Sequence, residues 1–215
     1  MSLESFIIKQ ERAGKIITGL KVPYPDAHCE LIHSNPLQLL IATILSAQCS
    51  DKQVNLVTEN LFKLYETARD FAEAPISDLE KQLQRLGLFR NKARNIQAAC
   101  RKLIEKYDGQ VPPVMDELIQ LDGVGRKTAN VVLGNAFGIN EGFVVDTHVA
   151  RLSTRLGLSD QKDPGKIEKD LMQLVARENW MLFSHLLIWH GRRRCQARNP
   201  DCLNCEIKDL CPTVP

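Results

Sequence analysis

Residues 121–131, LDGVGRKTANV, set two glycines two apart in front of a helix-like run that opens with adjacent cations, Arg126 and Lys127. The first turn of a helix carries unpaired N–H groups and the positive end of the dipole, so cations there need a reason. An anion opposite them, or a reaction, supplies one. A lysine amine beside that positive charge gives up its proton more readily and becomes a usable nucleophile near neutral pH. Successive helical residues point about 100° apart, so one of the pair can face a phosphate while the other faces a cleft. The stretch does not match the G-x-x-x-x-G-K-[ST] loop, because Arg126 separates Gly125 from Lys127 and no glycine has the required offset. It reads instead as a hairpin between the short helix PVMDELIQL and the next one, with outward N–H groups that suit an anion. The plain alternative is an ordinary helix–helix connection.

Asp146, in GFVVDTHVARL, follows an apolar run and begins another helix. As an N-cap it needs no further role. The chain also permits more. A helix from Gly125 to Ala136 travels roughly 18 Å. The residues from Phe137 to Val145 can span roughly 30 Å, enough to bring Asp146 back beside Lys127. A carboxylate there can take the amine's proton and stabilise positive charge developing on a sugar.

Four of the seven cysteines, Cys195, Cys202, Cys205 and Cys211, fall in the last 21 residues with the spacing C-x6-C-x2-C-x5-C. Disulfides are disfavoured in the intracellular setting expected here; four thiolates bind zinc or an iron–sulfur cluster. Only Cys202 and Cys205 make a close pair, so the spacing favours a cluster over a zinc ribbon while leaving zinc open. Either metal ties down a tail too short for its own core and fixes the loop carrying Arg198 beside Arg192, Arg193 and Arg194. Cys29, Cys49 and Cys100 lie apart among apolar neighbours and read as core thiols.

The elements that must position these groups are helical. Apolar periodicity predicts helices near 3–19, 36–48, 51–65, 76–84, 90–107, 114–121, 125–136, 146–156, 164–178 and 180–191. Asn35 before Pro36, Ser50 before Asp51, and Ser77 with Glu80 in capping-box spacing mark three of the starts. No alternating pattern lasts long enough for a sheet, so the chain reads as all-α. With 215 residues, 44% apolar and 25% charged, it can bury one larger core or two small ones. The N-terminus lacks a signal-peptide pattern and no apolar run approaches a membrane span, so an intracellular soluble protein is expected. Net charge is only +2, yet Arg85, Arg90, Lys92, Arg94, Arg101 and Lys102 form a run without a carboxylate, as do the arginines from 192 to 198. Such runs are usually solvated faces; they are also how a phosphate-binding surface is made.

LDGVGRKTANVV, then VDTH, then the four-cysteine spacing, closely resemble bacterial endonuclease III in order and separation. The likeness extends to ILSAQCSD (44–51) and GLFRNKARNI (87–96), and so to nearly the whole chain. The resemblance implies an all-α, two-lobed helix-hairpin-helix DNA glycosylase with the active cleft between the lobes. Residues 29–140 would form the helical barrel lobe with the hairpin; residues 1–28 plus 141–215 would form the other, with the cluster loop. It implies a bifunctional DNA glycosylase and AP lyase of base excision repair, flipping oxidised pyrimidines out of duplex DNA. Lys127 would attack the sugar C1′, expel the base and leave a Schiff base, and β-elimination would nick the strand on the 3′ side, with Asp146 as carboxylate partner. Cys195, Cys202, Cys205 and Cys211 would ligate a largely structural [4Fe–4S] cluster. Contacts to DNA would come from Gly123, Val124, Gly125, Arg126 and Thr128 of the hairpin, and from His148 and Arg198. Gln48 and Leu88 would fill the gap left by the extruded base; on the residues alone they read as a helix-end polar residue and a core leucine. The likeness also implies a bacterial cytoplasmic protein working at the nucleoid, as a monomer.

One residue departs from the family pattern: Asp122 stands where proline commonly precedes the first hairpin glycine. A monofunctional adenine-mismatch glycosylase would lack a lysine at position 127 and would need an acid in the helix before SAQ, where this chain has none between Glu30 and Asp51. A non-catalytic, metal-stabilised DNA-binding module would have no use for Lys127 with Asp146.

Overall fold

The structure, a computed structural model, describes residues 4–213. Among these, eleven α-helices and two short 3₁₀ turns occur and no strand. The chain divides into two compact units: one runs from Cys29 to Glu141, the other joins the residues up to His28 with those from Gly142 onward. Among the described residues no helix is long and apolar enough to cross a membrane.

In the first of these units, α2 (Pro36–Leu45) is buried along Leu39 to Leu45, and a helix apolar on all sides belongs at the centre of a core. Its start is as expected, with Pro36 at the first position and the Asn35 side chain accepting from the Gln38 N–H at 2.9 Å. α3 (Asp51–Leu64) starts on Ser50, which accepts from the Gln53 N–H. α4 (Ala68–Glu73) is a helix that apolar periodicity does not foresee, since six residues barely complete one period. Its signal is local: Thr67 and Asp70 form a reciprocal capping box. The box expected at Ser77 and Glu80 does not form, because α5 (Ile76–Leu83) already begins behind Pro75 and carries no side-chain cap. α6 (Phe89–Tyr107) lies against α4, α5 and α2. The short α7 (Met115–Leu118) leads through the hairpin into α8 (Arg126–Ala136), which packs on α2.

The other unit combines α1 (Phe6–Lys21), α9 (Thr147–Arg155), α10 (Pro164–Leu174) and α11 (Trp180–Arg193). Ile16 and Leu20 of α1 enter one core with Val149, Leu152, Leu171 and Phe183. Polar ties reinforce it: Arg12 donates to the carbonyls of Leu156 (2.6 Å) and Leu210 (3.2 Å). At Gly19 a Cβ would stand 2.9 Å from the Ile207 side chain, so the cysteine-bearing tail lies directly against α1. The helix expected over 164–178 ends at Leu174, and a 3₁₀ turn, Arg177–Asn179, precedes α11.

Both tryptophans of the chain, Trp180 and Trp189, belong to α11, so their emission reports on this unit. His185 of the same helix is buried; its burial, and to a lesser degree the neighbouring His28, push its pKa down to about 4. The folded state therefore refuses a proton that the unfolded state accepts once the pH drops below about 6.5. Stability from this residue is complete above that pH and is lost as the pH falls towards about 4, by on the order of 3 kcal/mol. Denaturant titrations followed by tryptophan emission at pH 7 and pH 4.5 should show that loss, and His185→Gln should reduce the difference, leaving the share of buried His190, whose pKa is lowered to about 4 as well.

Candidate active site and nucleic-acid interface

The glycine hairpin forms and is anchored from beneath by Leu118, Leu121 and Val124, all buried. Its two glycines serve different ends. Gly123 adopts φ +77°, and a Cβ there would lie 2.9 Å from the Asn95 side chain, so the fold itself needs glycine. Gly125, the N-cap of α8, has φ −96°, and a Cβ would meet nothing within 4 Å among the described residues. Nothing within this chain demands glycine at 125; a ligand close to the backbone would. The Val124 N–H is spent inside the turn on the Leu121 carbonyl (3.1 Å). The first-turn N–H groups of α8 have neither helical partners nor a side-chain cap. Arg126 and Lys127 are both exposed, and the Arg126 guanidinium leans towards the Glu141 carbonyl at 3.4 Å. Lys127 makes no hydrogen bond or ion pair among the described residues, which leaves its amine available.

Asp122 is held rather than loose. Its carboxylate pairs with Lys102 of α6 at 2.8 Å, and the same ammonium donates to the Gln120 carbonyl at 2.8 Å. The ion pair fastens the turn where a proline would stiffen it, at the cost of a cation removed from the surface. Asp122→Pro frees Lys102 and sacrifices no backbone hydrogen bond among the described residues. It should tighten binding of undamaged duplex about two- to fivefold and steepen the salt dependence by about one unit of log–log slope. Fluorescence anisotropy over a salt series checks both; an unchanged or weaker dissociation constant refutes the account.

Asp146 is the N-cap of α9, and Oδ1 accepts from the N–H groups of His148 and Val149, each at 2.8 Å. That leaves Oδ2 without a protein partner among the described residues. Two residues on, His148 is half-buried, and burial holds its pKa below the ordinary range, with Arg151 and Arg192 acting the same way and Asp146 opposing. Arg151 Nη2 stands 3.2 Å from His148 Nδ1. The same Nη2 donates to the carbonyls of Gly191 (2.9 Å) and Cys195 (3.0 Å), tying the VDTH turn to the first of the four cysteines.

Cys195, Cys202, Cys205 and Cys211 line one cavity of about 330 Å³ together with Arg155 and His190. Four thiols facing one space fit a metal group held by thiolates. Arg155 holds the intervening loop through the carbonyls of Gln196 (2.7 Å) and Ala197 (3.0 Å), which leaves Arg198 exposed. Arg194 does not contribute to a basic rim: it pairs with Asp201 and Glu206, and Arg193 lies over the Trp189 ring at 3.8 Å.

The cations of 85–102 divide in the same way. Lys92 is buried, Lys102 pairs with Asp122, Arg90 stands 3.9 Å from Glu80, and Arg101 bonds the Ala72 carbonyl, so the side chains of Arg85 and Arg94 alone stay exposed without a partner among the described residues. Leu88 is not a core leucine. It is 54% exposed at φ +57°, and Gln48 is exposed at φ +55°. Of the three cysteines expected in the core, Cys100 alone is fully buried; Cys29 and Cys49 are half-buried.

Residues 41–177 match the family of HhH-GPD superfamily base excision DNA repair proteins, and the chain is a member of that class. It is 51% identical to an endonuclease III of Synechocystis sp. over 99% of this chain and 97% of that protein. Among solved structures, a non-covalent endonuclease III–DNA complex and a trapped endonuclease III–DNA covalent intermediate each superpose with a TM-score of 0.90 at 46% identity, covering 94% of this chain and 95% of theirs. Within the superfamily the chain belongs to the endonuclease III family, and is thus a bifunctional DNA glycosylase and AP lyase of base excision repair. The all-helical architecture agrees with that assignment.

Proposed function

We propose that this chain excises oxidised pyrimidines from duplex DNA through a covalent imine on Lys127. The observation that carries the reading is an exposed lysine, without an ion pair among the described residues, placed second in a helix whose first turn has no side-chain cap. The solved relative trapped in covalent union with DNA supports a covalent route. In this reading the Lys127 nitrogen attacks C1′, the C1′–N bond to the base breaks, and the amine proton leaves. Ring opening gives the Schiff base, and loss of the C2′ proton expels the 3′ phosphate. Asp146, with Oδ1 engaged in its cap, offers Oδ2 to stabilise positive charge on the sugar or receive the amine's proton.

The hairpin N–H groups around Gly125, with Arg126 and Thr128, hold a backbone phosphate, while Val124 anchors the turn from below. His148 and exposed Arg198 hold others. Gln48 and Leu88 project from the surface of their unit and fill the space vacated by the flipped nucleotide. The four cysteines bind a [4Fe–4S] cluster, which supplies structural closure of the tail when present and takes no part in these steps. The enzyme acts as a monomer on damaged or abasic duplex, in the bacterial cytoplasm at the nucleoid.

Reductive trapping tests the reading. Duplex containing thymine glycol, incubated with the chain and borohydride, should yield a covalent protein–DNA adduct. Base release without an adduct would instead favour a monofunctional glycosylase.

A further inference from the structure

Lys92 is 3% exposed, too deep to lift its ammonium into water along its own stem. A buried ammonium is unfavourable unless it is paired, yet no carboxylate pairs with this one among the described residues. Its Nζ lies 3.1 Å from Cys49 Sγ instead. Methionine or leucine would fill the same space without burying a charge, so a directional contact is what distinguishes lysine here.

Both ends of that contact lead to the residues read above as gap-filling. Cys49 directly follows Gln48, and the Lys92 backbone N–H donates to the Leu88 carbonyl at 3.1 Å. Gln48 and Leu88 are both held at positive φ, which side chains other than glycine adopt only when their surroundings enforce it. The two turns adjoin: a Cβ at Gly87 would stand 3.9 Å from Cys49 Sγ, and Gln53 Nε2 donates to the Arg85 carbonyl at 2.6 Å.

We propose that Lys92 and Cys49 form a strut that keeps the Gln48 and Leu88 turns in register, which makes Lys92 a positioning residue for base extrusion. The proposal rests on the reading of Gln48 and Leu88 given under the proposed function. Two side chains that enter one gap from separate turns must keep a fixed separation, and a buried tie between their backbones supplies it.

The test compares Lys92→Met, Lys92→Arg, Cys49→Ala and Cys49→Ser with the parent by single-turnover trapping. One duplex carries a paired oxidised pyrimidine; a second carries an abasic site, where no base pair has to be broken. A third, with 2-aminopurine opposite an uncleavable abasic analogue, reports gap filling without chemistry. Lys92→Met and Cys49→Ala should slow the paired lesion at least about tenfold and the abasic site less than about threefold, with binding of undamaged duplex unchanged. Both should also lose the 2-aminopurine response. Cys49→Ser keeps an acceptor and Lys92→Arg keeps a donor, so both should restore most of the rate. Equal losses on the two cleavable duplexes, or parent-like rates throughout, overturn the strut. If Lys92→Met does not fold, Cys49→Ala decides, since it leaves the lysine in place. A parent chain that traps neither cleavable duplex would defeat the proposed function, and the 2-aminopurine response alone would then decide the strut.

Discussion

Lys127→Gln should bind duplex DNA within about threefold of the parent and yield no borohydride-trapped adduct, a loss of at least ~10³ in trapping rate. The separation is expected because the side chain does little else. It is exposed, engages no partner among the described residues and sits where glutamine is tolerated by a helix, so removing the amine leaves the unit's packing intact. Asp146→Asn should behave differently. Asparagine caps as well as aspartate, so the bonds to the His148 and Val149 N–H groups survive while the negative charge disappears. The adduct should then still form, about 10²- to 10⁴-fold more slowly, the range expected for loss of a proton acceptor or charge stabiliser. An adduct of parental yield with Lys127→Gln would place the nucleophile elsewhere.

Substituting Cys202 or Cys211 by alanine should abolish both a broad absorption near ~400 nm and most strand cleavage. The size of the expected effect follows from how little else orders the tail. Among the described residues beyond Cys195 it has one short 3₁₀ turn, Lys208–Leu210, and a single fully buried apolar side chain, Ile207. Further ties come from arginine contacts of Arg155, Arg194 and Arg12, from Cys205 Sγ beside His190 and from Thr213 donating to the Arg155 carbonyl. Trypsin should accordingly cut the variants at Arg198 and Lys208 while sparing the parent. Equal cleavage of damaged duplex by parent and variant would rule out a structural role for the metal, and a colourless parent containing zinc would replace the cluster.

What could be read in advance was local. Asn35 and Ser50 announce their helices because a cap is a matter of three neighbouring residues, and the glycine hairpin is legible because φ +77° at Gly123 is a demand on one position. The four cysteines, close in sequence, could hardly avoid a common cavity. Failures came where the answer depends on what lies opposite. ARDFAE was too short for periodicity, although its Thr67–Asp70 box was there to be found. The cations of α6 look alike in the sequence, yet Lys92 is buried against sulfur, Lys102 neutralises Asp122 and Arg94 faces solvent. Arg194 likewise looked like part of a phosphate clamp until Asp201 and Glu206 claimed it. Leu88 is the sharpest case, since an isolated leucine beside apolar residues gives no hint of a left-handed backbone.

Because one compact unit is assembled from both ends of the polypeptide, its order of completion differs from its order of synthesis. The Cys29–Glu141 segment can collapse on itself as it leaves the ribosome, whereas α1 emerges first and finds no α11 to lie against until more than a hundred further residues have been made. Ile16 and Leu20 belong to a core that stays incomplete during that interval, and the contacts they make are among the most distant along the chain, which slows the final assembly. Nascent chains halted before Trp180 should therefore contain one finished body, with α1, α9 and α10 still lacking the α11 side of their common core.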